Sequence, residues 1–183
     1  MKQHAITALI AGFLNENPDM TLQTIEGDST FVKELLTDGK CDIAFLRSES
    51  SSVKEFNSIP YMIDYLTAVL PATHPLAKAD NLPFEQLRGE TFLLFPEHSF
   101  INDLCIRECR NAGFEPHIAY TGNRGATLID LVRNGAGITL MMHHSARQEN
   151  DSSLAFIPVT PGIYSYISLN YAKEKPLSPQ AES

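Results

Sequence analysis

Positive charge and long apolar runs are both scarce in this sequence, and each shortage excludes a class of protein. There are 14 Lys and Arg residues against 22 Asp and Glu residues, for a formal net charge of −8 at pH 7. No basic run of the kind that neutralises nucleic-acid phosphates occurs, which argues against a free-standing nucleic-acid-binding protein. No stretch approaches the roughly 18 consecutive apolar residues of a membrane-spanning helix. We therefore expect that this chain contacts neither DNA nor a membrane directly.

Cysteine is also scarce, since the chain contains only Cys41, Cys105 and Cys109. An odd and low count without regular spacing is typical of reduced thiols in a cytoplasmic protein. Cys105 and Cys109 are four residues apart, which places them on one face of a helix, and Cys41 begins an apolar run. We interpret all three as small buried apolar side chains.

The signatures of enzymes and of metal or nucleotide sites are missing as well. The sequence has no C-x-x-C, no H-x-x-x-H, no G-x-S-x-G and no phosphate-binding G-x-x-x-x-G-K-[ST] motif. His143 and His144 are adjacent, so their side chains diverge. Gly135-Ala136-Gly137 lacks the third glycine of a dinucleotide-binding loop. The sequence predicts no catalytic residue, no metal ion and no cofactor.

The first part of the chain alternates helices with short strands. Its 183 residues, 43% of them hydrophobic and 20% charged, suffice for one sizeable domain or two small lobes. Apolar residues at helical spacing and short apolar runs predict a helix over residues 4–15, a strand over 20–26, a helix over 30–37 and a strand over 41–46, buried on both faces. Asp28 or Ser29 caps the second helix. This alternation implies a mostly parallel sheet.

The rest of the chain continues the same alternation. Strands are predicted over residues 56–61, 65–71, 91–95, 117–120, 138–142, 154–159 and 164–172. Helices are predicted over residues 84–87, 101–112 and 126–134, the last two ended by Gly113 and Gly135. Residues 173–183 form a polar tail.

Several segments, taken in order, resemble the effector-binding domain of LysR-type transcriptional regulators. They are ITALIAGFLNENPDMTLQTIEGDSTFVKELLTDGKCDIAFL, LTAVLPATHPLA, TFLLFPEHS, NAGFEPHIAYTGNRGATLIDLVRNGAGITLM, FIPVTP and YAKEKPLSP. Together they cover nearly the whole chain in the order and at the spacing of the family. The resemblance implies an α/β fold of two Rossmann-like lobes joined by two crossovers, like type 2 periplasmic binding proteins. Lobe one would comprise residues 1–65 and 158–183, and lobe two residues 66–157.

The resemblance also implies a function and an assembly. A small-molecule effector would bind in the cleft between the lobes of a non-enzymatic, cytoplasmic regulatory domain. Paired domains would form a homodimer or homotetramer, with lobe one of one subunit against lobe two of the next. The exposed face of the first helix and residues 20–26 are the expected contributors to that contact.

The chain departs from the family pattern at both ends. Full-length members carry an N-terminal winged helix-turn-helix and a linker helix, and their effector domain begins with a strand that is central in lobe one. This chain contains none of these, and the helix after L-S-P is cut short. We therefore expect a fragment or a truncated reading frame that reaches DNA only through an absent N-terminal domain. The missing strand should leave unpaired strand edges in lobe one.

Four loops that follow predicted strands supply the candidate ligand-binding residues. Ligands of open α/β sheets collect outside the carboxyl ends of the strands, and helix N-termini together with an arginine favour a small anion. The candidates are Asp28, Ser29, Thr30, Arg47, Glu97, His98, Ser99, Thr121, Gly122, Asn123 and Arg124. By resemblance, the loops at residues 97–99 and 121–124 are ligand-contacting segments. Two alternatives remain open: Ser29 and Thr121 or Asn123 as helix caps, and Arg47 as a solvated loop charge.

Two related functions are less well supported. The segment PEHSFINDLC resembles the peroxide-sensing branch of the family, where a reactive cysteine directly follows the histidine. Ser99 stands at that position here, so no sulfenic acid can form there. A solute-binding protein of a transporter would share the two-lobed fold and would be exported. The lack of a signal peptide and the three unpaired cysteines argue against that alternative.

Overall fold

The computed structural model describes residues 3–146 and 151–173, with side chains from residue 6 onward. Contacts divide the chain into two compact units. Unit 1 comprises residues 1–62 and 166–183, and unit 2 comprises residues 63–165. The lobe limits at residues 65 and 157 remain a prediction. The tail expected over residues 173–183 lies outside the described residues from residue 174 onward.

Unit 1 packs one helix against a small antiparallel sheet. It contains α1 (Gln3–Glu16), α2 (Ser29–Thr37), β1 (Ile43–Ser48), the first part of β2 (Phe56–Pro71) and the last part of β8 (Tyr164–Ala172). β8 lies between β1 and β2 and runs antiparallel to β1. Leu36 of α2 is buried against Ala44, Leu46 and Phe56, which form the core of this unit.

The strand predicted over residues 20–26 is wrong. These residues are exposed and belong to no strand, with Met20 41% and Ile25 49% exposed. A strand needs a neighbour whose N–H and C=O groups complete its ladder, and no described strand lies beside this segment. β1 likewise has β8 on one side and no described strand on the other. Its Ile43 is 41% exposed, so β1 is not buried on both faces.

Unit 2 is built around a mixed sheet. Its elements are the rest of β2, two 3-10 helices (Pro75–Lys78 and Phe84–Leu87), β3 (Leu82–Pro83), β4 (Thr91–Leu94), α3 (Phe100–Asn111), β5 (His117–Thr121), α4 (Gly125–Arg133), β6 (Thr139–Met142), α5 (His143–Ala146) and β7 (Leu154–Thr160). β2 runs antiparallel to both β6 and β7, while β3 and β7, and β4 and β5, are parallel. A parallel bridge between Phe92 and Ile138 joins β4 to β6.

The expectation of a mostly parallel sheet is therefore wrong. β2 is one continuous strand rather than the two predicted ones, and it passes from unit 1 into unit 2. β8 passes between the same units on the return. β2 runs antiparallel to β6 and β7, and β8 runs antiparallel to β1. Helix-to-strand alternation alone does not reveal this return path.

The core of unit 2 has two layers, one on each face of its sheet. On one face Leu140 and Met142 of β6 pack with Phe92 of β4 and with Leu104 and Cys105 of α3. On the other face, Met141 packs with side chains of α4, including Leu128 and Val132. Alternate residues of β6 therefore face opposite layers, and all four are buried.

Thr139 offers a test of this packing. The residue is fully buried, it pairs with Val69, and its Oγ1 has no hydrogen-bond partner within the described residues. We expect Thr139→Val to raise the free energy of unfolding by about 1 kcal/mol, because a methyl group replaces an unsatisfied hydroxyl of similar shape. Urea unfolding followed by circular dichroism measures the change. The control is Thr67→Val, which should destabilise because the Thr67 hydroxyl lies 3.4 Å from Nδ1 of His143. Loss of stability in Thr139→Val would contradict the assignment.

Candidate functional site

The predicted loops of unit 2 meet at one edge of its sheet. β4 and β5 are parallel neighbours, and the bridge to Ile138 makes β6 parallel to β4. The chain therefore leaves all three strands at the same edge, after Leu94, Thr121 and Met142. β2 is antiparallel to β6, so it enters unit 2 at that edge. The structure thus brings together the loops at residues 97–99 and 121–124, as expected for a ligand-binding edge.

The loop before α3 is held by side-chain hydrogen bonds. Ser99 caps α3, because its Oγ accepts a hydrogen bond from the backbone N–H of Asn102 at 3.3 Å. The buried Asn102 side chain donates from Nδ2 to the carbonyl oxygen of Phe95 at 2.8 Å. His98 adopts a φ of 65°, a left-handed conformation that costs a non-glycine residue roughly 1 kcal/mol or more. Glu97 and His98 are exposed on this fixed loop.

The loop after β5 places an arginine at the start of α4. The N–H of Gly122 donates to the carbonyl oxygen of Leu94 at 3.0 Å, which ties the loop to β4. A Cβ on Gly122 would lie 2.7 Å from the outer ring atoms of the exposed Tyr120, so a larger residue there would displace that ring. Arg124 is the N-cap residue of α4 and forms no side-chain cap. The alternative that Thr121 or Asn123 caps this helix is therefore wrong, and both side chains are exposed.

The candidate residues of unit 1 form a separate group. Asp28 is the cap of α2, with Oδ1 accepting from the N–H of Thr30 at 2.9 Å. Ser29 is the first residue of the helix, and its Oγ accepts from the backbone N–H of Arg47 at 3.0 Å. The structure therefore joins the loop at residues 28–30 to the end of β1, and Ser29 supports this junction rather than capping α2.

A third group at the edge of unit 2 was missed by the sequence reasoning. Asp64, on β2, is fully buried. Its Oδ1 accepts hydrogen bonds from the N–H of Tyr65 and the N–H of His144, and it lies 2.8 Å from Nδ1 of His144. His143 stacks on the Tyr65 ring, with centroids 4.4 Å apart. The available signal was an aspartate beside the apolar run of β2, together with two histidines directly after a buried strand. Both histidines were weighed only as metal ligands.

The cysteines differ in burial: Cys105 and Cys109 are buried, whereas Cys41 is only half-buried, so the interpretation of all three as buried side chains is wrong for Cys41. Burial raises the pKa of Cys105 well above its usual value, and burial with nearby Glu115 and Glu108 raises the pKa of Cys109 to about 12. Burial and then Asp42 raise the pKa of Cys41. Such groups hold their proton at neutral pH, in agreement with the interpretation as small apolar side chains.

Two further features were searched for in the described part of the chain. No cluster of three or more His, Cys, Asp or Glu side chains there could hold a metal ion. No helix among residues 3–146 and 151–173 has the length and apolar character needed to cross a bilayer.

Comparisons with known proteins agree with this architecture. The family model described as "LysR substrate binding domain" matches residues 1–183. The transcriptional dual regulator GltC of Bacillus subtilis is 25% identical over 177 residues, which are 96% of this chain and 59% of that protein. The chain thus spans less than two thirds of that relative.

Two solved structures share the fold. The regulatory domain of Synechocystis PCC6803 CcmR, in complex with 2-PG, matches with a TM-score of 0.86 and 15% identity over 98% of this chain and 87% of that one. The effector-binding domain of QuiR, in complex with shikimate, matches with a TM-score of 0.79 and 20% identity over 100% and 87%. The expected type 2 periplasmic-binding-protein-like α/β fold is confirmed. Because the family model covers all of residues 1–183, this chain belongs to the LysR substrate-binding domain family.

Proposed function

We propose that this chain is the ligand-sensing regulatory part of a cytoplasmic LysR-type transcriptional regulator. It binds a small anionic metabolite without chemical turnover, and binding changes how the subunits pack and thereby transcription. Another part of the longer protein contacts DNA. The observation that carries this proposal is the family match over the whole of residues 1–183. The relative GltC is a transcriptional regulator, which favours this role over that of a transporter's solute-binding protein.

The edge of unit 2 supports an anionic ligand. It carries the exposed guanidinium of Arg124 beside the hydroxyl of Thr121, and the loop at residues 97–99 lies at the same edge. Arginine binds carboxylate and phosphate groups through two parallel hydrogen bonds. The loop at residues 28–30 and Arg47, a half-buried residue of β1, are proposed as further contacts in unit 1, with the side chain of Thr30 exposed.

Calorimetry against a panel of small organic acids tests the assignment of Arg124. We expect Arg124→Ala to weaken the affinity for the bound acid by roughly tenfold or more, and Thr121→Ala by a few-fold, because each removes a polar contact. The matched control is Arg110→Ala, which removes an exposed arginine of unit 2 that pairs with Glu115 on the surface. Unchanged affinity in both loop variants would remove this loop from the proposed site.

The proposed homodimer uses an exposed apolar surface of unit 1. Leu9 and Leu14 on α1 and Met20, Leu22 and Ile25 in the following segment are 38–53% exposed. Patches of this kind are typical of interaction sites. A second copy of the chain is the proposed occupant, and a homotetramer would extend the same pairing.

Ile25→Glu tests this dimer surface. We expect self-association to weaken by roughly tenfold or more, because a charge would be buried in the contact. Analytical ultracentrifugation over a range of protein concentrations measures it. Ile59→Glu is the control, since Ile59 is 50% exposed elsewhere in unit 1. An equal effect of both variants, or no effect of Ile25→Glu, would contradict the proposed surface.

A further inference from the structure

β5 is the outermost strand of its sheet in unit 2. It pairs with β4 on one side, and no described strand lies on its other side. All five residues of β5 are exposed, whereas the last three residues of β4 are buried. An open strand edge presents backbone N–H and C=O groups that can pair with a further strand. The outer edge of β5 therefore has room for one more strand.

The side chains of β5 do not protect this edge. Native proteins commonly guard an open edge strand with charged side chains or with proline. β5 contains no Lys, Arg, Asp, Glu or Pro, and its apolar residues Ile118 and Tyr120 are 38% and 39% exposed. Exposed apolar groups on an unguarded edge are typical of a strand that pairs with another chain.

Residues 20–26 of unit 1 have the properties of a matching strand. Apolar and polar residues alternate from Met20 to Glu26, and every residue from 18 to 28 is exposed. Among the hydrogen bonds within residues 3–146 and 151–173, the one that involves the backbone of residues 20–26 runs from the N–H of Met20 to the carbonyl oxygen of Asn17, at 3.0 Å. The segment is thus strand-like in sequence and has no strand paired with it.

The charges of the two segments are complementary. Residues 16–28 contain no basic residue and four acidic ones. These are Glu16, Asp19, Glu26 and Asp28. Residues 116–129, which include β5, contain no acidic residue and carry the positive charge of Arg124. The preceding carboxylate, Glu115, pairs with Arg110 at 2.8 Å. A second copy of the chain therefore supplies a surface without unpaired negative charge for the acidic segment.

We propose that residues 20–26 of one copy lie along the outer edge of β5 of a second copy and pair with it as an added strand. The contact covers Ile118 and Tyr120 with apolar side chains of the segment and pairs the backbone groups of both. Because the two surfaces differ, two such contacts close a pair of chains into a dimer. This inference rests on the proposed homodimer and names the part of unit 2 that its unit 1 surface contacts.

Ile118→Glu tests the β5 half of the contact. We expect self-association to weaken by roughly tenfold or more, as for Ile25→Glu, because a charge would be buried between the strands. Analytical ultracentrifugation over a range of protein concentrations measures the change, and circular dichroism checks that the variant is folded. The matched control is Ile63→Glu, since Ile63 is 57% exposed on β2 in the same unit.

Cross-linking tests the pairing itself. Leu22, Gln23 and Thr24 are each replaced by cysteine, which covers both faces of the segment and neighbouring registers. Each variant, isotope-labelled and on a Cys41→Ser background, is mixed with unlabelled Ala119→Cys and oxidised. We expect a disulfide between labelled and unlabelled chains for at least one of the three positions, because a disulfide forms only when the two Cα atoms lie within about 7 Å. Mass spectrometry identifies the linked peptides. Ser51→Cys, at an exposed position elsewhere in unit 1, is the control that should not link.

The outcomes distinguish this inference from the proposed dimer surface of unit 1. If Ile25→Glu weakens self-association but Ile118→Glu does not, or if the thiols introduced at residues 22–24 link only to each other, the inference is overturned and the unit 1 surface stands. If the wild-type protein stays monomeric, if neither variant has an effect, or if Ile118→Glu alone has one, both are overturned. Where Ile118→Glu fails to fold, the cross-linking result decides.

Discussion

Replacing Gly137 by alanine is expected to lower the free energy of unfolding by roughly 3–5 kcal/mol. Gly137 has a φ of 154°, which side-chain-bearing residues rarely adopt, and a Cβ there would overlap the carbonyl oxygen of Thr91. That oxygen accepts the N–H of Ile138 at 2.8 Å, and the N–H of Leu93 donates back to Ile138 at 2.8 Å. The substitution therefore forces apart β4 and β6 at the point where they join.

Alanine substitutions at two other glycines separate the cost of the close contact from the cost of backbone strain. Gly135 has a φ of 76° and no atom within 4 Å of an added Cβ, so Gly135→Ala should cost only about 1–2 kcal/mol of backbone strain. Gly12 lies inside α1 with no atom within 4 Å, and Gly12→Ala should stabilise by up to about 1 kcal/mol. Urea unfolding of the three variants, followed by circular dichroism, measures the series. A loss for Gly137→Ala no larger than that for Gly135→Ala would show that the close approach to Thr91 is not limiting.

Asn170→Leu should destabilise unit 1 by roughly 2–4 kcal/mol. Asn170 on β8 is fully buried; its Oδ1 accepts from the Ser58 hydroxyl at 2.6 Å, and its Nδ2 donates to the Ser168 carbonyl at 2.8 Å. Leucine has a similar volume but leaves these partners unsatisfied, and each buried polar group without a partner costs about 1–3 kcal/mol. The variant is measured by urea unfolding with the amide exchange of β1 as a local probe.

The matched variant for Asn170 is Ser58→Ala. Ser58 is half-buried, donates to Asn170 and accepts from the N–H of Val53 at 3.0 Å. Because solvent can reach this position, the loss should be about 1 kcal/mol. If Asn170→Leu is as stable as the wild-type protein, the polar network does not stabilise the core of unit 1.

Most elements of the fold could be predicted from local patterns. The apolar spacing of α2, α3 and α4, with Gly113 and Gly135 after the last two, placed these helices to within one or two residues. Two errors came from information that is not local. Residues 20–26 alternate like a strand but have no described strand paired with them, and the antiparallel partners of β2 are the distant strands β6 and β7. Pairing partners are set by the whole topology, which a window of sequence does not contain.

The positions of the candidate loops could be predicted from the sequence, but the side-chain hydrogen bonds within the site could not. Strand ends and helix starts located the loops around Ser99 and Arg124, because the carboxyl ends of parallel strands share an edge. The role of Ser29 depended on its hydrogen bond to Arg47, 18 residues away, and the partnership of Asp64 with His144 spans 80 residues. No motif spacing encodes contacts of that range. The contribution of each of these residues to ligand binding remains a prediction.

The burial of two cysteines allows the opening of unit 2 to be measured by chemical labelling. Cys41 lies in unit 1, while Cys105 and Cys109 lie in the core of unit 2. Alkylating reagents attack the thiolate, so the raised pKa values and burial of the unit 2 pair allow modification only when that unit opens. Labelling rates of Cys105 and Cys109 followed by mass spectrometry would then report the opening of unit 2, with the half-buried Cys41 as an internal reference that needs no such opening. A ligand that stabilises unit 2 would slow the modification of that pair and leave the labelling of Cys41 unchanged.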